Sequence, residues 1–223
     1  MLVVGLSRRL ILPIWAATAP NAATSSPPVA PVRTTNAPAS TVSASPATPE
    51  SSAQAEMPSS PAEFASLVWP HAERAAARIG VAPEVLVAQS ALETGWGRHV
   101  MQHRDGVSSH NLFGIKADRR WQGDKVHVST LEYRDGVALN TRANFRAYQS
   151  FEKSFDDYVD FLQRNPRYRE ALQTTADPAA YFDALQRAGY ATDPAYADKI
   201  KRILDSEPVR QIRRTVKEGA ALI

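Results

Sequence analysis

Apolar residues recur at helical spacing through most of this chain beyond residue 60, with one interruption at strand spacing. Phe64, Leu67, Val68, Ala75 and Ile79 return every three or four positions, which predicts a helix from Pro61 to Ile79 with that face on a core. Ser60-Pro61-Ala62-Glu63 opens it as a capping box with proline at the first helical position, and Gly80 closes it. Pro83 opens a second, mostly apolar helix in which Val85, Ala88 and Leu92 form the core stripe, while Leu86, Gln89 and Ser90 share the face of Glu93. Gly95 and Gly97 then permit turns that a β-carbon would forbid.

No period is sustained from Arg98 to Trp121, which reads as loop around the compact apolar run Asn111 to Lys116. Between Lys125 and Tyr148 the period falls to two. Val126, Val128, Thr130 and Glu132 alternate with His127, Ser129, Leu131 and Tyr133; after Arg134-Asp135-Gly136, Leu139, Thr141, Ala143 and Phe145 alternate with Asn140, Arg142, Asn144 and Arg146. This predicts one β-hairpin with Asp-Gly in its turn and Glu132 near its tip. Helices resume from about Glu152 to Arg164, with Phe155, Tyr158, Val159 and Leu162 inward and a stop at Asn165-Pro166. A short helix is expected near Tyr168 to Leu172. Asp177-Pro178 and Asp193-Pro194 each open a further helix with an aspartate cap; Gly189 closes the first, and the second runs to about Asp205 with Ile200, Ile203 and Leu204 inward.

The fold class is therefore mainly α (α+β), a helical lobe with a small β-hairpin lobe, and the folded domain is assigned to residues 60–206. Residues 24–59 are rich in Ala, Pro, Ser and Thr and lack the large apolar residues that offset ordering entropy, so they read as a disordered linker. Residues 1–23, with Arg8-Arg9 before a short apolar run broken by Pro13, sketch a signal-like leader; a cleaved signal, a translated leader and a remnant of an upstream domain all fit. Residues 207–223, with Arg210, Arg213, Arg214 and Lys217, read as a solvated basic tail.

Composition narrows the chemistry. The 223 residues include no cysteine, which removes disulfides, thiol nucleophiles and cysteine zinc sites. A net charge of +3 is compatible with a polyanionic partner such as nucleic acid, anionic lipid or an acidic wall polymer but is too small an excess to choose among them, and no nucleic acid is expected. No run of eighteen apolar residues predicts a membrane span. His99 and His103 stand four apart, but no glutamate follows the first in the zincin pattern, so neither a metal nor a cofactor is expected. What remains is a carboxylate at the margin of an apolar helix. Partial burial of Glu93 would disfavour its charged form, which suits a general acid. Glu132 on the hairpin offers a second carboxylate, and glycoside hydrolysis uses such a pair on opposite sides of the scissile bond. Trp96, Trp121, Tyr133 and Tyr190 offer flat apolar faces for sugar rings and Asn111 an amide, while Phe113 and Trp121 suit a core better than a cleft.

Five ordered motifs then carry a resemblance: ALETGWG at Ala91 to Gly97, NLFGIK at Asn111 to Lys116, LEYRDG at Leu131 to Gly136, FRAYQS at Phe145 to Ser150 and GYATDPAYA at Gly189 to Ala197. In this order they resemble the peptidoglycan-hydrolase domain of flagellar proteins, in glycoside hydrolase family 73, over roughly Pro61 to Leu204. The resemblance implies a lysozyme-like fold and an endo-β-N-acetylglucosaminidase acting on β-1,4 bonds of peptidoglycan glycan strands, with no cofactor. It implies Glu93 as the general acid, Glu132 as the β-lobe carboxylate and Tyr190 at the cleft near the acid. Trp96, Asn111, Phe113, Tyr133 and Tyr196 complete the candidate substrate-binding set. Whether Glu132 activates water, stabilises charge, or yields to the substrate's own acetamido group stays open. A muramidase cutting the neighbouring bond and a non-catalytic glycan-binding module are the alternatives. Flagellar rod proteins are further candidate partners, a monomer is expected, and the substrate implies export to the periplasm or cell envelope. The rod-assembly domain that accompanies this domain in flagellar proteins has no counterpart in the motifs found here.

Overall fold

The structure, a computed structural model, describes residues 58–134, 137–191 and 193–220, with the side chains of 129–134 and 137–141 outside the description. Helix α1 (Pro61–Ile79) starts where Ser60 Oγ accepts from the Glu63 N–H at 3.2 Å. The return bond goes one residue earlier than a capping box places it: Glu63 Oε2 accepts from the Ser59 N–H at 2.8 Å and the Ser59 hydroxyl at 2.7 Å. Phe64, Val68, Ala72, Ala75, Ala76 and Ile79 are buried, whereas Leu67, expected inside, is 36% exposed, because the buried stripe follows 64, 68, 72, 75 and 79.

Helix α2 (Pro83–Thr94) departs from the expected single stripe. Every residue from Val85 to Ala91 is buried, Gln89 and Ser90 included, while Leu92 is only partly buried. The reason is its neighbours: α1 lies against it, as do α6 (Tyr196–Leu204) and α7 (Glu207–Ala220), so no side of the helix faces solvent for long.

Strands β1 (Lys125–Arg134) and β2 (Val137–Arg146) pair antiparallel, Val126 opposite Phe145 and Glu132 opposite Leu139. The expected Asp135-Gly136 turn lies outside the described residues. Val126, Ala143 and Phe145 make a small core of their own with Met101 and Val128. Helix α3 (Phe151–Arg164) begins at its Ser150 cap and buries Phe155, Tyr158, Val159 and Leu162 as predicted. A 3-10 turn (Pro166–Tyr168), α4 (Arg169–Gln173) and α5 (Pro178–Arg187) follow, the last capped by Asp177. Helix α6 begins two residues later than Asp193-Pro194 suggests. Asp193 Oδ1 accepts from the Ala195 N–H at 2.9 Å, capping a turn that precedes the helix proper.

Residues expected to form a solvated tail instead form α7. Val209 is buried, Ile212 and Val216 pack on the main core from the same face, and Arg213 reaches Glu84 of α2 at 3.4 Å. The basic residues mask a three-residue apolar stripe, which is why the segment reads as tail. Deleting residues 207–223 is therefore expected to lower the melting temperature, Val209 alone contributing about 2 kcal/mol of burial; differential scanning calorimetry checks this, and a solvated tail would leave the melt unchanged. Among the described residues no helix is long and apolar enough to cross a membrane.

Candidate active site

Glu93 occupies the penultimate position of α2, and the chain leaves the helix there by three successive left-handed residues. Gly95, Trp96 and Gly97 have φ of 58°, 64° and 83°. Thr94 fastens this turn: its Oγ1 donates to the Ser90 carbonyl at 2.7 Å and accepts from the Gly97 N–H at 2.9 Å. Both glycines are also sterically required, since a β-carbon on Gly95 would lie 2.7 Å from His99 Cδ2 and one on Gly97 2.9 Å from Phe64 Cδ2. Trp96 holds the same conformation without a glycine's freedom, a strained placement for a bulky residue. Its half-exposed ring meets Phe64 edge-on at 6.1 Å.

This turn makes a stability test. Gly95→Ala is expected to destabilise by about 1–2 kcal/mol from backbone strain, with the His99 clash added. Urea unfolding of Gly95→Ala beside Gly95→Ala/His99→Ala should return only the clash part in the double variant.

The Glu93 side chain lies half in the protein, with Oε1 fully buried and without a hydrogen-bond partner among the described residues. Burial alone pushes its carboxyl well above the usual carboxylate range. Burial thus favours the protonated form, the form a general acid needs. Tyr190 and Tyr196 are its electrostatic neighbours. Burial holds both hydroxyls well above the usual tyrosine range, and the nearby Glu93 charge adds to the effect.

The other sequence-derived candidates divide. Tyr190 is nearly buried and donates to the Phe113 carbonyl at 3.3 Å, joining the acid's surroundings to the Asn111–Lys116 loop. Tyr196 is 1% exposed and accepts from Gln89 Nε2 at 2.9 Å, so it offers no face to a sugar. Phe113, 1% exposed, stacks on Tyr158 at 4.0 Å and meets Phe155 edge-on at 5.0 Å, a core position. The Asn111 amide is consumed internally: Nδ2 donates to the carbonyls of Ile115 at 2.9 Å and Arg146 at 2.8 Å, and Oδ1 accepts from the Ile115 N–H at 3.1 Å. It ties the loop to the end of β2. Phe113 and Asn111 are thus engaged within the protein by packing and internal bonds, and Tyr196 is buried with its oxygen on Gln89. Glu132 is placed by its backbone alone, two pairs before the β1–β2 ladder ends at Arg134 opposite Val137; its side chain and that of Tyr133 lie outside the described residues. His99 and His103 lie on no common helix, so their four-residue spacing gives no shared face.

Sequence reasoning missed two groups. One is the base of the hairpin, where Arg146 Nη1 pairs with both Asp157 oxygens at 2.8 and 2.7 Å, the Tyr148 hydroxyl donates to Asp157 at 2.7 Å, and the Trp121 ring lies 4.6 Å from the guanidinium carbon. It anchors β2 on α3. The other is a chain of buried hydroxyls in which Tyr181 meets Tyr158 and Tyr158 bonds Gln89, one turn before Glu93 on α2. The signal for it was tyrosine, not phenylalanine, at positions that read as plain core.

Residues 69–207 match the family Glucosaminidase, described as mannosyl-glycoprotein endo-beta-N-acetylglucosaminidase. The chain is 52% identical over 144 residues to the peptidoglycan hydrolase FlgJ of Vibrio parahaemolyticus, covering 65% of this chain and 46% of that protein. It is 54% identical over 141 residues to FlgJ of Pseudomonas aeruginosa, covering 63% and 35% respectively. The chain thus spans less than half the length of these curated relatives. Among solved structures, a peptidoglycan hydrolase mutant from Sphingomonas sp. A1 matches with 45% identity and a TM-score of 0.63, covering 67% of this chain and 96% of that one.

Proposed function

This chain belongs to the glucosaminidase family of glycoside hydrolases, and from that premise we propose that it cleaves β-1,4 glycosidic bonds of peptidoglycan glycan strands as an endo-β-N-acetylglucosaminidase. The observation that carries the reading is the buried, unpartnered Glu93 carboxyl at the end of α2, a proton donor in a family of glycan hydrolases. Glu93 gives its proton to the leaving glycosidic oxygen as the bond to the sugar's anomeric carbon breaks. Glu132, carried by the paired hairpin, is the second carboxylate, on the far side of the scissile bond, where it assists water or stabilises the positive charge developing on the sugar. Trp96 and Tyr133 supply ring faces for the glycan, and Tyr190 lines the cleft beside the acid.

The wall polymer lies outside the inner membrane, so the protein works in the periplasm or cell envelope. The FlgJ relatives support a role in opening the wall locally for flagellar rod assembly. The test is mass spectrometry of borohydride-reduced products from purified peptidoglycan. Reduced N-acetylglucosamine ends are expected; reduced N-acetylmuramic acid ends would make the enzyme a muramidase, and intact strands after treatment with folded protein would make it a binding module. In the same assay Glu132→Gln is expected to slow release about a hundred-fold without abolishing it.

A further inference from the structure

The side chain one turn below Glu93 on α2 is Gln89, fully buried, and its amide is the junction of a hydroxyl chain drawn from three other helices. The directions of these bonds can be assigned. Tyr158 of α3 donates to Gln89 Oε1 at 2.6 Å, which spends its only proton, so in the 3.1 Å contact between Tyr158 and Tyr181 of α5 the donor is Tyr181. Gln89 Nε2 donates to the Tyr196 oxygen of α6 at 2.9 Å, which leaves the Tyr196 proton to point elsewhere. The chain thus runs one way, Tyr181 to Tyr158 to Gln89 to Tyr196, and ends in a donor. The acid beside it has a buried oxygen with no partner among the described residues.

We infer that Gln89 is a positioning residue for the acid: it orders the hydroxyls so that the Tyr196 O–H is held for the carboxylate that Glu93 becomes once its proton has gone to the leaving group. The neutral acid needs no such donor and the anion does, so the bond favours the charged form and eases proton loss in the transition state. No proton is transferred from Tyr196; it donates a hydrogen bond only. A Gln amide is suited to the junction because it accepts on one side, from Tyr158, and donates on the other, to Tyr196, at fixed geometry.

The groups facing this assembly are few. From α3 and α5 come Tyr158 and Tyr181, from the 3-10 turn Tyr168, from the loop before α6 Tyr190, whose proton is spent on the Phe113 carbonyl, and from α6 Tyr196 itself. From α1 Phe64 and from the turn after α2 His99 approach the Gly95–Gly97 segment. The Glu84–Arg213 pair joining α2 and α7 sits at the opposite end of α2. Tyr196 is the hydroxyl among them that Gln89 itself holds and that has Glu93 as an electrostatic neighbour.

The inference rests on Glu93 as the acid, and its test reads that carboxyl without substrate. Titration of the full chain by carbon-13 NMR of the Glu93 carboxyl, in wild type, Gln89→Met, Tyr196→Phe and the double variant, should give midpoints higher by about one pH unit in both single variants, because a bond to the charged form is lost. The double variant should shift no further than either single one, since both remove the same bond. An unchanged midpoint in folded Tyr196→Phe, which keeps the ring and only loses the hydroxyl, overturns the inference even if Gln89→Met fails to fold. A shift without glycan cleavage by wild type would uphold the network while refuting the hydrolase reading. Where cleavage is seen, kcat should fall about ten-fold in Tyr196→Phe with KM unchanged.

Discussion

Glu93→Gln is expected to reduce glycan cleavage at least about a thousand-fold, the contribution of a positioned general acid at its upper range, and at the same time to make the protein more stable at neutral pH. The two effects have one cause. Glutamine fits the same space and has no proton to give, so the leaving oxygen departs unassisted; dye release from labelled sacculi measures the loss. The stability gain follows from linkage. The folded-state value of Glu93 is raised well above the ordinary 4.5 of the unfolded chain, so between those two values the folded protein keeps a proton that the unfolded one releases. The stability associated with that proton is fully present below 4.5 and is lost as pH rises towards the raised value. Thermal melts should therefore show Glu93→Gln above wild type at pH 7 and level with it below pH 4.5. A variant that loses activity and melts lower at every pH would mean that Glu93 holds the fold together instead of working within it.

Asn111→Ala is expected to cost about 3 kcal/mol, which is about 10 °C in the melt of a domain of this size. Three bonds disappear at once, and the Ile115 N–H and Arg146 carbonyl lose partners in a buried setting. The loop that presents the Phe113 carbonyl to Tyr190 is then held to the base of β2 only by the remaining bonds, such as the Arg146 N–H to the Ile115 carbonyl, so the loss reaches both sides of the site. Asn111→Asp should fall as far, although it matches the side chain in size, because its oxygens cannot donate to the two carbonyls and a buried charge is added. An asparagine whose role is to bind sugar would behave otherwise, with an unchanged melt and a raised KM. Calorimetry of both variants separates the two.

Much of the framework was legible in the chain because its signals are local. Pro61, Pro83 and Pro178 open helices, Gly80 and Gly95 end them in left-handed turns, and alternation from Val126 to Phe145 sets the hairpin register. The errors arise where packing decides. Leu67 fits the period of α1 yet faces outward, and α2 is buried all round because three helices happen to surround it, which no period within α2 reports. Val209, Ile212 and Val216 dock α7 through a stripe too thin to stand out from its arginines. At the site, the place of Glu93 at the end of α2 beside Gly95 and Gly97 was legible, as were Tyr190 and Tyr196 as nearby candidates, but the bonds from Tyr181 through Tyr158 to Gln89 were not. Asn111, Phe113 and Tyr196 look like ligand-binding types in sequence and are buried supports in space, since residue type cannot tell a hydroxyl or amide facing a cleft from one spent on a neighbour.

The central claim is that burial keeps Glu93 protonated well above the ordinary carboxylate range and that it acts as the acid. The most direct test is kcat/KM of the full chain on soluble glycan fragments as a function of pH. The account predicts an alkaline limb whose midpoint lies well above 4.5, reporting the free enzyme's Glu93. An alkaline limb centred near 4.5, the value of an ordinary exposed glutamate, would contradict it.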